Sequence, residues 1–281
     1  MIYKSKELPG KTFASKEELF KALHENKSLI IESKKAEIYK SHEKGLSIIT
    51  NQNSISKVSE TTKSFEMDSN YYYFVVNSSY ILDSHTDMHI YGNWDKTVKE
   101  QQGRVYLVFD HQLKRNEIIA MKQDIEMFTA VIPFKLIGKN YEGDTYCLIY
   151  KVNKNAIINK EAKEWLEKGY DFEASVRMQY MDIDVAFDSA YKDYAKEKEN
   201  FDKYYPLIAN KEDHDEIVYF WVVKQAKNVM ESSLVLFGSN SATGLIQENK
   251  EPLDDTLENK EEPLDSTQQG ETKIKVNLNL F

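Results

Sequence analysis

Apolar and polar positions alternate with the short period of β-strands over much of residues 71–237, and helical spacing is confined to a few polar segments. Residues 71–76, 104–109, 128–136, 145–152, 171–180, 216–224 and 230–237 each read as a strand, rich in Tyr, Phe, Val and Ile. Residues 183–187 extend the strand that ends at 180, and short strands are predicted at 28–31 and 36–39. The strands 128–136 and 145–152 flank a turn holding Gly138 and Gly143 and read as a hairpin. Residues 216–224 and 230–237, separated by 225–229, read as a second hairpin. Helices are signalled where caps meet apolar spacing. Ser15 with Glu18 three residues on has the capping-box spacing, and Leu19 and Leu23 give an apolar face. Asn159 opens a helix that Gly169 stops. Residues 95–101 form one or two helical turns, and 188–204 carry a thin stripe of Tyr191, Tyr194 and Phe201 before Pro206.

These elements divide the chain into three parts. Residues 1–65 read as an accessory region whose Ser-, Thr- and Asn-rich end, 52–64, is a linker. Residues 66–246 carry the β-rich domain. Residues 247–281 are an acidic, low-complexity tail expected to be disordered, because such a composition buries too little to offset ordering entropy. Within it Glu248-Asn249-Lys250-Glu251-Pro252-Leu253-Asp254 recurs as Glu258-Asn259-Lys260-Glu261-Glu262-Pro263-Leu264-Asp265. The alternation of Ile274, Val276, Leu278 and Leu280 reads either as a terminal docking strand or as a frayed end.

Charge and cysteine usage narrow the function classes. The net charge is −9, and Glu248 to Glu271 alone holds nine carboxylates against two lysines. The remainder is nearly neutral and has no basic stripe, so direct nucleic-acid binding is not expected. No stretch has the length of apolar residues that a membrane span needs, and residues 1–10 have no apolar run that could serve as a signal sequence. Cys147 is the sole cysteine, which points to a reducing compartment. There is no phosphate-binding glycine loop and no dinucleotide fingerprint, so no cofactor is expected.

Several residues could carry chemistry. His111 follows a strand and could take a proton from a hydroxyl, although a histidine there also serves as a plain hydrogen-bonding residue. Ser175 sits in Phe172-Glu173-Ala174-Ser175-Val176-Arg177-Met178, with no Gly-x-Ser-x-Gly elbow around it. It is either a nucleophile or a serine satisfied by a neighbouring strand. Strand period places Glu231 on a face with Ser233 and Val235, so its carboxylate needs an edge position or a partner such as a histidine. Asp83, His85, Asp87 and His89 recur every two residues and suggest metal ligation. Against that, strand spacing puts residues four apart about 13 Å from each other. Cys147, within an apolar strand, reads as a buried structural thiol.

The order of these separated motifs resembles that of the head-maturation (prohead) serine proteases of tailed bacteriophages, a family that shares its fold with the herpesvirus capsid maturation protease. The resemblance covers about residues 70–245 and rests on four segments. They are Ile81-Leu82-Asp83-Ser84-His85-Thr86-Asp87, Val105-Tyr106-Leu107-Val108-Phe109-Asp110-His111, Glu173-Ala174-Ser175-Val176-Arg177-Met178, and Glu231-Ser232-Ser233-Leu234-Val235 followed by Asn240-Ser241-Ala242. The chain departs from the family pattern at Arg177, where glycine is frequent, and at Gly238-Ser239-Asn240, where Pro-Ala-Asn is frequent.

The resemblance implies an α+β fold with a mostly antiparallel β-barrel core ringed by helices. It implies Ser175 as nucleophile, His111 as general base and Glu231 as the residue orienting the imidazole. It further implies a serine endopeptidase that cleaves major capsid and scaffold proteins and often itself. Such an enzyme acts in the host cytoplasm within the assembling procapsid, with self-association and retention in the virion as open points. A catalytically inactive capsid-associated protein of the same fold is the alternative. A metallohydrolase using Asp83, His85, Asp87 and His89 is the less favoured third reading.

Overall fold

The computed structural model describes residues 2–39 and 67–246. The linker at 52–64, the acidic tail and its terminal segment lie outside the described residues. In chain order the elements are α1 (Lys16–Glu25), α2 (Lys27–Ala36), β1 (Tyr71–Ser78), β2 (Asp87–His89), α3 (Asp95–Gln101), β3 (Tyr106–Phe109), β4 (Ile118–Ala120), β5 (Ile125–Pro133), β6 (Asp144–Asn153), α4 (Lys160–Lys168), β7 (Glu173–Phe187), α5 (Ala195–Tyr204), β8 (Tyr219–Val235) and β9 (Gly244–Leu245).

The strands form two sheets. One has the order β5-β6-β1-β9 and is antiparallel, with Phe128 opposite Ile149 and Tyr150 opposite Phe74. The other is built on β8, whose 17 residues pair with β7 along one side. On its other side β8 runs parallel first to β2, at Trp221–Val223, and then to β3, at Glu231–Leu234. β4 is antiparallel to β3 and ends this sheet. Phe74, Leu148 and Tyr150 of the first sheet share a buried core with Val176, Met178 and Leu234 of the second.

Both sheets are open, which corrects the closed, mostly antiparallel barrel expected from the resemblance. Hydrogen-bonded ladders stop at β5 and β9 in one sheet and at β4 in the other. Where β9 approaches β7, the join is a side-chain bond, Thr243 Oγ1 accepting from Ala174 N at 3.1 Å, and no ladder forms. The second sheet is mixed, because β8 takes two parallel partners. A herpesvirus-protease-like fold is therefore not supported.

Local chemistry explains most of the elements. Ser15 Oγ accepts from Glu18 N at 3.3 Å, and Glu18 Oε2 accepts from Ala14 N at 2.9 Å. Asn159 Oδ1 accepts from Ala162 N, and Gly169, with φ 67°, closes α4 in the left-handed conformation that only glycine adopts cheaply. The strands expected at 28–31 and 36–39 are replaced by α2 and its exit, because Ile30 and Lys34, one turn apart, supply the buried face. Leu19, Phe20 and Leu23 of α1 are fully buried, and Phe20 stacks on Phe187 of β7 with centroids 4.9 Å apart. Each such side chain contributes about 1.5–3 kcal/mol of burial. The second expected hairpin is one continuous strand. Its polar middle is accommodated because residues 225–228 pair with β7, and the buried Asn228 side chain bonds Tyr150 and Ser232. Among the described residues no helix is long and apolar enough to cross a membrane.

Candidate functional site

Three irregularities of backbone bring His111, Ser175 and Glu231 together. Ser175 lies in β7 directly opposite Ser233 of β8. Two residues further on, the register breaks between Val176↔Ser232 and Met178↔Asn228, so that residues 229–231 of β8 oppose Arg177 alone. Such a bulge re-aims side chains. Met230 takes φ 72° and is exposed, and Glu231 beside it is fully buried. β3 then ends at Phe109, and the chain folds back through Asp110 (φ 47°) and His111 (φ 56°), held by Asp110 N donating to Leu234 O at 3.1 Å. Non-glycine residues in this conformation cost about 1–3 kcal/mol each and persist where the surroundings over-determine them.

The result is a hydrogen-bonded chain. His111 Nε2 is 3.0 Å from Ser175 Oγ, and His111 Nδ1 is 2.9 Å from Glu231 Oε1. The partners set the tautomer: a carboxylate oxygen only accepts, so Nδ1 carries the proton and Nε2 accepts from the serine hydroxyl. Exposure is 8% for His111, 5% for Ser175 and 0% for Glu231. A fourth group, which the sequence reading did not single out, joins them. Ser233 Oγ donates to Glu231 Oε2 at 2.8 Å and accepts from His111 N at 2.9 Å. The signal was present in the sequence, since strand period puts Glu231 and Ser233 on one face. Arg177 Nε is buried and has no hydrogen-bond partner among the described residues.

The Asp83–His89 segment does something else. It does not run straight: Asp83 Oδ1 accepts from both His85 N (2.8 Å) and Asp87 N (2.9 Å), and Thr86 sits at φ 62°. Asp87 faces Lys34 Nζ at 2.6 Å and the Tyr180 hydroxyl at 2.8 Å. His89 stacks on Trp94 and bonds the Asn93 side chain, and its burial pushes its pKa down to about 3. His85 packs edge-on against Tyr39. Among the described residues there is no group of three or more His, Cys, Asp or Glu that could hold a metal, so the metallohydrolase reading is corrected. The turn sends the four side chains to different partners. Cys147 is buried, and burial raises its thiol to about 12, in keeping with a structural role. A cavity of about 510 Å³ lies between α2, Lys6–Pro9, Tyr39 and His85, and its lining includes neither Ser175 nor His111.

Burial, and then the neighbouring Asp87, push the Asp83 carboxyl up to about 8. The folded chain therefore keeps a proton there that the unfolded chain releases near pH 4. Stability from this group is complete below that value and declines as pH rises towards about 8. Asp83→Asn, which keeps the acceptor oxygen and removes the titration, is expected to flatten this decline. Urea midpoints at about pH 5 and about pH 8 measure it, and an unchanged slope in the variant would count against the assignment.

No protein-family model, curated protein or solved structure matches the chain. The assignment as a prohead-maturation serine endopeptidase is corrected accordingly. The barrel that the resemblance implied is not formed, and no family model supports the assignment.

Proposed function

We propose that the chain is an acyl-transferring hydrolase in which Ser175 is the nucleophile, independent of any barrel fold. The observation that carries this reading is the continuous path from Glu231 through His111 to Ser175, with contacts of 2.9 and 3.0 Å. In the reaction Ser175 Oγ attacks an acyl carbon as its proton passes to His111 Nε2. The Glu231 carboxylate holds Nδ1–H and stabilises the imidazolium. The imidazolium returns the proton to the leaving group as the acyl–serine ester forms. Water then attacks the ester, giving its proton to Nε2, and the free acid and Ser175 are regenerated. The developing oxyanion needs donors, and Arg177, two residues after the nucleophile on β7, is the side chain assigned to that part.

The near-complete burial of the three residues favours a second reading, a polar network that only rigidifies the join between β3, β7 and β8. A fluorophosphonate probe separates the two. In the acyl-transfer reading it labels the folded protein at Ser175, as located by peptide mass spectrometry, and the label is lost on heat denaturation. A folded protein that resists the probe at Ser175 supports the structural reading.

A further inference from the structure

We infer that Ser233 is the positioning residue that fixes the direction of proton flow through His111, an inference that rests on the acyl-transfer reading of Ser175. Its hydroxyl links the backbone of His111 to the carboxylate that holds the imidazole. His111 N–H donates to Ser233 Oγ at 2.9 Å, Ser233 O–H donates to Glu231 Oε2 at 2.8 Å, and Glu231 Oε1 lies 2.9 Å from His111 Nδ1. These three contacts close a ring.

Donor and acceptor capacities settle the ring's polarity. A hydroxyl has one proton, and the backbone N–H can only donate. With the N–H pointing at Oγ, the hydroxyl proton goes to the carboxylate, and the carboxylate accepts at both oxygens. Nδ1 must then be the protonated nitrogen, and Nε2 is left with its lone pair towards Ser175. Ser233 is fully buried, as is Glu231, so no solvent replaces this hydroxyl if it is removed. The same bond anchors His111 in its left-handed conformation just after Asp110, also left-handed. Loss of the hydroxyl removes this anchor and the second hold on the carboxylate, and frees the ring to shift away from Ser175. Ser232 supplies an internal control: it is equally buried, one residue away, and accepts from Asn228 Nδ2 at 3.3 Å in a different network.

The test compares Ser233→Ala and Ser232→Ala in the full chain. The rate of fluorophosphonate labelling at Ser175 is followed across pH, and the His111 Nδ1–H proton is followed by nuclear magnetic resonance. Ser233→Ala is expected to slow labelling by roughly 10- to 100-fold, to displace the midpoint of its pH profile and to remove the Nδ1–H signal, because a displacement of about 1 Å is enough for such a loss. Ser232→Ala should leave all three unchanged. A wild-type rate, profile and Nδ1–H signal in Ser233→Ala overturn the inference and leave the nucleophile reading intact. Failure of the native protein to label overturns the acyl-transfer reading, and the Nδ1–H signal then still decides whether Ser233 holds the ring. Should Ser233→Ala not fold, Ser233→Cys keeps the volume with a weaker donor and must label at an intermediate rate; the native rate there overturns the inference.

Discussion

Glu231→Gln is expected to lower the rate of Ser175 acylation by about 10⁴-fold with the fold retained. The argument is one of donors and acceptors. Glu231 presents one oxygen to His111 Nδ1 and the other to the Ser233 hydroxyl, and both partners donate. Glutamine can match only one of them. With its amide nitrogen towards His111, the ring must carry its proton on Nε2, and Nε2 no longer accepts from Ser175. With the nitrogen towards Ser233, the hydroxyl accepts from it and its own proton loses the carboxylate acceptor inside a fully buried site, which costs about 1–3 kcal/mol. The measurement is the labelling rate of native and variant protein at equal pH, with circular dichroism as the control for folding. Equal rates would show that the carboxylate has no part in activating the serine.

Lys34→Met is expected to destabilise the protein by about 3–5 kcal/mol, the usual result of removing one member of a buried ion pair. Lys34 Nζ lies 2.6 Å from Asp87, 3.5 Å from Glu7 and 5.3 Å above the Trp221 ring, so it joins α2 to β2 and β8. Burial alone would lower the Lys34 pKa; the carboxylates around it raise it instead, and the ammonium is held charged. Without it Asp87, already raised by burial, must take up a proton to remain inside. The folded state then binds a proton that the unfolded state lacks, so the variant loses stability as pH rises. Urea unfolding should show a larger deficit at about pH 8 than at about pH 5, and Lys34→Met combined with Asp87→Asn should recover most of it. A pH-independent deficit would mean that packing of the lysine stem, and not its charge, matters at this position.

Local signals in the sequence carried as far as local physics reaches. The caps at Ser15 and Asn159, the stop at Gly169 and the β5–β6 hairpin are each settled by a few neighbouring residues, and they form as expected. Partner choice between distant strands is not local. Nothing within 219–235 states that one strand will serve β2 and then β3 in parallel while pairing β7 throughout, and the polar residues 225–228 imitate a turn because their partners lie 40 or more residues away. The even spacing of Asp83, His85, Asp87 and His89 misled for the same kind of reason. The alternation presumes a straight strand, and two backbone N–H groups on Asp83 Oδ1 turn the chain instead. The nearness of His111, Ser175 and Glu231 depends on a bulge and three left-handed residues that residue type does not announce, since none of Asp110, His111 and Met230 is a glycine.

The bow in β8 at residues 229–231 also sets a constraint on chain length. Because successive strand residues face opposite ways, loss or gain of one residue there would turn Glu231 and Ser233 from the histidine towards the opposite face of the sheet. Surface connections elsewhere, such as the turn around Gly138 to Gly143, can lengthen or shorten without touching the histidine's neighbours. Variation in the size of this protein is therefore free to accumulate at its turns, and even a one-codon change is forbidden at residues 229–231 of β8.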